Sequence, residues 1–192
     1  MAFEEIEGRV SDAKRIVAVA GRFGMALATD DQIRAAREIA AKLISDGIAS
    51  ADTFIAVQTL TESSVFVFTE SGRVTGMLGM FLLSERGLLA VKRGVFDAVA
   101  PDRAFVCQPG QPPAACYGWG FAATTEAGGR AAVKAAVALH DELFWAIPTF
   151  TRTATPDGVR VILGPMGYVR YRESDPTLVW LPPKAAKKSI VR

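Results

Sequence analysis

The sequence predicts an α+β protein with a mixed central β-sheet and helices on both faces. Helical segments near the start, strand-like segments from residue 65, and later strands that alternate with a long helix all indicate this class. The chain has 192 residues, 50% of them apolar, enough for the core of one domain of ordinary size. We expect a single domain over 1–192, with an N-terminal helical part (about 1–60), a sheet and binding core (65–181) and a basic tail (182–192).

The first helices are predicted from their caps and apolar spacing. Thr29-Asp30-Asp31 is a typical helix start, apolar residues recur at helical spacing from Ile33 to Ile44, and Gly47 predicts the end. Ser50 is a suitable cap for a second, shorter helix. The earlier run Val17–Gly24 is apolar and ends in glycines, so we interpret it as a buried strand and turn.

Strand signals begin at Val65. The segment Val65–Phe68 leads through a turn at Glu70–Arg73 into Val74–Leu83, which predicts two antiparallel strands. Residues 94–113 contain four prolines and should be irregular apart from a short strand at Ala104–Val106. We expect the loops between Leu83 and Pro113 to shape any substrate pocket.

The second half alternates strands and helices. It contains a strand at Ala114–Ala123, a helix at Gly129–Phe144, a strand at Ile147–Thr153, a helix from Thr155-Pro156-Asp157, and two last strands, Tyr168–Arg172 and Thr177–Leu181, around a turn at Ser174-Asp175-Pro176. One apolar stripe of the long helix is predicted to hold Val133, Ala136, Val137, His140, Leu143 and Phe144.

The most informative segment is Thr124–Val133, TTEAGGRAAV, because it places two adjacent glycines at the start of a helix. Glycine inside a helix costs roughly 1 kcal/mol relative to alanine. A helix start exposes unpaired N–H groups and a partial positive charge, which suit a phosphate, and Thr124, Thr125 and Arg130 would add donors. The alternative is that Thr125 caps the helix and the glycines allow close packing on the sheet.

Two motifs carry a resemblance to a known family. Glu126–Ala131 is similar to a Gln/Arg-x-x-Gly-x-Gly/Ala loop, matching at Gly129 and Ala131 while Glu126 replaces the usual Gln or Arg. Met166-Gly167-Tyr168, which follows the predicted helix at Thr155, is similar to a Leu-Gly-Phe motif. In this order the motifs resemble those of the GNAT superfamily of N-acetyltransferases, so the run from Tyr117 to Tyr168 looks like the core of a divergent member.

The resemblance implies acyl transfer from acetyl-coenzyme A, or another acyl-coenzyme A, to an amine acceptor that is a small molecule or a protein. The coenzyme pyrophosphate would meet the N–H groups of residues 127–131, and the pantetheine arm would run beside residues 119–123. The implied coenzyme-binding residues are Phe121, Ala122, Ala123, Thr124, Gly128, Gly129, Arg130 and Ala131.

Catalysis is less well supported by the sequence. Glu70, Glu85, Asp97 and Tyr117 are candidates for acid and base work, and Tyr168 is a candidate substitute acid. Many members of the family carry a tyrosine acid four residues before the glycine of the last motif, and here Leu163 stands there. The alternative is therefore a catalytically degenerate member that binds coenzyme A or a protein partner in a regulatory role.

A third alternative is an NAD(P)-dependent oxidoreductase. Gly118–Ala123 satisfies the dinucleotide pattern Gly-x-Gly-x-x-Ala, although the predicted strand runs on to Ala123 where that pattern needs a tight turn. His140 is the single histidine, which argues against a metal site and favours a core position. Cys107 and Cys116 are interpreted as a reduced pair.

Charge and hydropathy favour neither nucleic acid nor membrane as a partner. The net charge is +2, and the only local excess of positive charge lies in the last residues. The apolar runs are too short to span a bilayer. We expect a cytoplasmic protein, with a homodimer as one possible state, and we expect no metal.

Overall fold

A seven-stranded sheet runs through the computed structural model, which describes residues 7–44 and 47–184. The strands are β1 (Ala26–Leu27), β2 (Val65–Glu70), β3 (Arg73–Leu83), β4 (Ala115–Ala123), β5 (Thr149–Arg152), β6 (Val169–Arg172) and β7 (Asp175–Leu181). The helices are α1 (Ala13–Gly21), α2 (Asp30–Leu43), α3 (Ala51–Thr61), α4 (Glu85–Arg93), α5 (Glu126–Leu139) and α6 (Pro156–Leu163), with a 3₁₀ turn at Arg103–Phe105 and a π-helical turn at His140–Phe144.

The order of the strands in the sheet is β1-β2-β3-β4-β5-β7-β6. β4 and β5 pair in parallel, and the other described neighbours pair antiparallel, so the sheet is mixed. A parallel pair needs a crossover connection, and α5 provides it between β4 and β5. The predicted α+β class with a mixed sheet is confirmed.

Both faces of the sheet are covered by helices. Along β2, Phe66 packs into a cluster with residues of α1 and α5, whereas Val65 and Val67 pack into a cluster with residues of α2 and α3. Successive side chains of a strand point to opposite faces, so a strand covered on both sides has to be apolar throughout. This explains why the sequence of β2 shows a continuous apolar run.

Several predicted boundaries are confirmed by the capping contacts. Thr29 caps α2 in a capping box with Gln32, and Ser50 caps α3. Thr155 caps α6, with Pro156 as its first residue. The predicted hairpin is present as β2 and β3, joined by Ser71 and Gly72. The expected end of α2 at Gly47 follows residues 45 and 46, which lie outside the described residues.

The prediction of a strand at Val17–Gly24 is wrong, because this run belongs largely to α1. Asp12 caps that helix by accepting hydrogen bonds from the N–H groups of Lys14 and Arg15. Ile16, Val19 and Ala20 are its buried residues. That i, i+3, i+4 spacing is the helical signal that the short apolar run conceals.

Two further predictions near turns are wrong. Ala104 and Phe105 lie in the 3₁₀ turn, capped by Asp102, and Val106 forms only a single bridge with Leu83. The last turn consists of Glu173 and Ser174, one residue earlier than predicted, because Asp175 already pairs with Arg172.

The start and the buried face of α5 also differ from the prediction. The helix begins at Glu126, three residues before Gly129, because Thr125 is its cap. The predicted stripe is wrong for Val137, which is 38% exposed, and Val133 is only half-buried. The buried face consists of small residues and one leucine: Gly128, Ala131, Ala132, Ala135, Ala138 and Leu139.

A backbone contact between α5 and β3 explains this face. A Cβ atom on Gly128 would lie 2.7 Å from the carbonyl oxygen of Thr75, and one on Gly76 would lie 2.9 Å from the Cα atom of Gly128. Helix and strand therefore touch backbone to backbone, and only small side chains fit beside the contact. The close-packing interpretation of the paired glycines is confirmed for Gly128. It does not extend to Gly129, where a Cβ atom would meet only that of Ala123, at 3.6 Å.

We expect the two adjacent glycines to respond in opposite ways to alanine. Gly128→Ala should destabilise the protein by about 1–3 kcal/mol, because the new methyl group collides with β3. Gly129→Ala should stabilise it by up to about 1 kcal/mol, because alanine favours the helix and has room. Urea unfolding measures both. Equal effects of the two substitutions would contradict the backbone contact.

Candidate functional site

The candidate site begins where β4 and β5 separate. The two strands pair over three positions and β5 then continues only to Arg152, which pairs with Leu178 of β7. The paired positions are Cys116↔Thr149, Tyr117↔Phe150 and Gly118↔Thr151. At the last of them, Thr151 Oγ1 donates to the carbonyl oxygen of Gly118 at 2.8 Å. Beyond it, residues Trp119–Ala123, which we call the β4 edge, have no described strand partner on this side, so an extended ligand can pair there.

A β-bulge lies at the same point. Gly79 pairs with Gly120 while the next residue, Met80, pairs with Gly118, so Trp119 is the extra residue of β4. Gly120 has a φ of 133°, a conformation that favours glycine. The bulge lies at the residue after the last β4–β5 pair, and it explains the glycine at position 120.

The predicted coenzyme-binding residues lie together at the carboxyl end of β4 and the start of α5, but they differ in availability. Phe121 is half-buried and packs between the α5 cluster and a second cluster on α6 and β7. Ala122 is 5% exposed and packs against the α2 side of the sheet. Gly128 is buried against β3, whereas Gly129 is half-buried and Arg130 is exposed.

The cap of α5 already uses most of the N–H groups that were assigned to a pyrophosphate. Thr125 Oγ1 accepts from the N–H group of Gly128 at 3.2 Å, and its carbonyl oxygen accepts from Gly129 at 3.0 Å. Arg130 and Ala131 lie beyond the first four N–H groups, which are the ones a helix leaves unpaired. Among the described hydrogen bonds, the N–H groups of Glu126 and Ala127 have no assigned acceptor.

Two carboxylates lie beside this helix start. Glu70, at the end of β2, accepts hydrogen bonds from Thr125 Oγ1 at 2.6 Å and from Thr75 Oγ1 at 2.8 Å. These bonds hold the pKa of Glu70 below its ordinary value, so the group is ionised at neutral pH. Glu126 forms an exposed ion pair with Arg130 one turn along the helix. With these two carboxylates beside it, the start of α5 does not fit a pyrophosphate.

The catalytic candidates do not gather at the cleft. Glu85 is exposed at the start of α4, and Asp97 accepts the N–H group of Val99 in the following loop at 2.8 Å. Tyr117 is 2% exposed, and burial raises its pKa to about 12 despite the nearby Arg152 guanidinium. Burial also raises the pKa of Tyr168 strongly. Both phenols therefore stay protonated at neutral pH, and neither can act as a base.

Leu163, at the position where the resemblance expects a tyrosine acid, is the last residue of α6. It packs with Tyr168 in the cluster between α6 and β7, which also contains Ile162 and Val179. An aliphatic side chain has no proton to give, so this position cannot protonate a leaving group.

Residues 94–102, which we call the strap, lie over Tyr117 and Trp119 of β4. The ring centroid of Phe96 lies 4.9 Å from that of Tyr117 and 6.2 Å from that of Phe81. Trp119 Nε1 donates to the carbonyl oxygen of Ala98 at 2.6 Å. The loops expected to shape a pocket thus cover Tyr117 and part of Trp119. The sequence prediction missed α4, although Ser84 is a good cap and Gly94 a good stop.

His140 and Cys116 lie in the core, as predicted for the histidine. His140 is 6% exposed, its Nδ1 lies 3.2 Å from Thr149 Oγ1, and its Nε2 is buried with no partner among the described residues. Cys116 is free and buried, and burial raises its pKa to about 12, so its thiol is unreactive. Cys107 is also free and buried.

The remaining functional signals concern metals, membranes and dinucleotides, within residues 7–44 and 47–184. No group of three or more His, Cys, Asp or Glu side chains in these ranges is arranged to hold a metal ion. No helix in the same ranges is long and apolar enough to cross a membrane. Gly118–Ala123 lies within β4 and α5 starts only at Glu126, so these glycines do not form the turn that a dinucleotide fingerprint requires. Of the basic tail, Lys184 pairs with Asp141, and Lys187, Lys188 and Arg192 lie outside the described residues.

The fold and the cleft define an α+β protein with a parallel β4–β5 pair that opens beside a helix start. No protein-family model matches the chain, and no curated protein matches it. Among solved structures, Ard1 from Thermoplasma volcanium aligns with 84% of this chain and 97% of that chain, at 13% identity and a TM-score of 0.49.

We expect His140 to make the stability depend on pH. Burial, assisted by the Lys184 ammonium, lowers the pKa of His140 below its ordinary value of 6.5, and Asp141 opposes this. Below pH 6.5 the unfolded chain therefore binds a proton that the folded chain does not, and the free energy of unfolding falls, by at most about 1.4 kcal/mol at pH 5.5. Urea unfolding at pH 7.5 and 5.5 should show a smaller loss for His140→Gln. An identical loss in the variant would contradict this assignment.

The hydrogen bond from Trp119 should hold the strap in place. We expect Trp119→Phe to cost about 1 kcal/mol or more of stability and to speed amide exchange in residues 95–101, because an aromatic ring remains while the indole N–H donor is lost with part of the ring. Trp180→Phe is a matched control, since Trp180 stacks on Phe150 and meets Tyr171 edge to face. Unchanged exchange in Trp119→Phe would show that the strap is held by other contacts.

Proposed function

We propose that this protein binds an acyl-coenzyme A thioester along the β4 edge and transfers the acyl group to an amine. The observation that carries the proposal is the separation of β4 from β5 after Gly118, directly before the crossover helix α5. A pantetheine arm is extended and contains amide groups, so it can pair with the free edge much as an added strand does. The thioester would then lie near the bulge at Trp119.

The proposed reaction is the attack of a neutral amine on the thioester carbonyl carbon. A C–N bond forms, the C–S bond breaks, the nitrogen loses a proton and the thiolate gains one. A backbone N–H group near the bulge is the kind of donor that stabilises the negative charge on the carbonyl oxygen. The contribution of the described residues is then mainly to bind and orient the donor.

The leaving thiolate needs a proton from elsewhere. Leu163 cannot supply it, and burial leaves the phenols of Tyr117 and Tyr168 as very weak acids. We therefore assign the proton to solvent at the open end of the cleft. This assignment predicts slow turnover, because a positioned acid typically raises the rate by a factor on the order of 10²–10⁴.

A second candidate function is binding without turnover, in a regulatory role. It is favoured by Leu163 together with the strap, which covers Tyr117 and part of Trp119 on the side from which an acceptor would approach. Both candidates use the same β4 edge, so ligand binding supports either and turnover distinguishes them.

Ligand titration tests the binding step. Acetyl-coenzyme A at millimolar concentration should raise the melting temperature and slow amide exchange in residues 119–123, whereas NAD(P) should do neither. Amide exchange is informative because it reports the backbone groups that the proposal assigns to the ligand. No thermal shift with any acyl-coenzyme A, or protection confined to another part of the chain, would overturn the proposal.

Release of free thiol from acetyl-coenzyme A then tests the chemistry. A panel of small amines and peptide N-termini should increase the rate above that of the coenzyme alone if the protein is a transferase. Binding with protection of residues 119–123 but with no amine-dependent thiol release would favour the regulatory function.

A further inference from the structure

The donors that the sequence offers to a phosphate at the start of α5 are engaged within the protein. The Thr125 hydroxyl donates to Glu70, and that of Thr124 lies 3.4 Å from the carbonyl oxygen of Thr75. The N–H group of Gly128 is bonded to Thr125, and the guanidinium of Arg130 is paired with Glu126. Apart from the N–H groups of Glu126 and Ala127, a phosphate arriving here would have to break these contacts to gain a donor.

Charge opposes a phosphate at the same place. A helix start carries about half a unit of positive charge, and the carboxylates of Glu70 and Glu126 already lie beside it. Glu70 is held by two hydroxyl donors, Thr125 and Thr75, so it cannot turn away without losing both. The two carboxylates therefore already offset the partial positive charge of the helix start. A pyrophosphate would meet their like charge there.

The glycines do not require a phosphate either. Gly128 is needed for the contact with Thr75 and Gly76 of β3. The β4 edge is different, because its backbone groups border the opening between β4 and β5 and no described carboxylate is bonded there. The two ends of an acyl-coenzyme A thus meet different surfaces, one suited to its pantetheine arm and one unsuited to its pyrophosphate.

We propose that the donor site recognises the acyl-pantetheine arm and discriminates against the pyrophosphate, with Glu70 and Glu126 as the residues that determine this specificity. The inference rests on the proposed function and defines its donor class. Acyl thioesters of pantetheine bind through the β4 edge whether or not a nucleotide is attached. The nucleotide end of acyl-coenzyme A contributes little to binding.

Calorimetry with two donors tests this specificity. The native protein should bind S-acetyl-pantetheine at least as tightly as acetyl-coenzyme A. Glu70→Gln and Glu126→Gln should each tighten acetyl-coenzyme A by about fivefold, as expected for an exposed charge contact, and leave S-acetyl-pantetheine unchanged. The gain should shrink at high salt, because exposed charges are screened. Glu38→Gln, which removes an exposed carboxylate from α2, is the matched control and should bind both donors like the native protein.

The outcomes separate the two proposals. If the native protein binds acetyl-coenzyme A tenfold more tightly than S-acetyl-pantetheine, and neither glutamine variant changes this ratio, the specificity inference is overturned while the proposed function stands. If neither donor binds to the native protein or to a folded variant, both fail. Two separate variants guard against a loss of folding at either one, and melting temperatures identify the folded ones.

Discussion

The backbone contact between Gly76 of β3 and Gly128 of α5 fixes the geometry on which the rest of the site depends. A methyl group on either residue would overlap the other element, so the helix can lie this close only because both are glycine. The contact presses the first turn of α5 onto the sheet immediately after β4 ends at Ala123. It therefore places the helix start beside the β4 edge and sets the small-residue face that continues through Ala132 and Ala135. A larger side chain at any of these positions would move the helix away from the cleft.

The opening between β4 and β5 follows from the same arrangement. α5 must carry the chain from the end of β4 to the start of a parallel neighbour, and β5 reaches β4 only at its first three residues. β5 pairs with β7 along its whole length, whereas its last residue, Arg152, has no pairing with β4. The bulge at Trp119 bends β4 at the point where the pairing ends. The opening thus results from the strand pairing and the crossover.

The sequence predicts the local features well, because caps and turns act over a few residues. Thr29, Ser50 and Thr155 mark helix starts correctly. The sequence does not predict contacts between residues that lie far apart in the chain. The short apolar run of α1 does not reveal its helical spacing. The predicted buried face of α5 is wrong because hydrophobicity favours valine, whereas the contact with β3 requires alanine and glycine. The hydrogen bond between Thr125 and Glu70 joins residues 55 positions apart, and no periodicity reveals such a pair.

The hydrogen bond between Thr125 and Glu70 also bears on the two interpretations of TTEAGGRAAV, a phosphate site and a helix start packed closely on the sheet. Two glycines in the first turn weaken the helix, and a bound phosphate would offset this only while it is present. Glu70 and Glu126 provide negative charge at the helix start permanently, which favours the folded turn without a ligand. The same charges then repel a phosphate that approaches the helix start. A helix start that is stable on its own is therefore a poor anion site, and the proposed binding of an acyl thioester depends on the strand edge beside it.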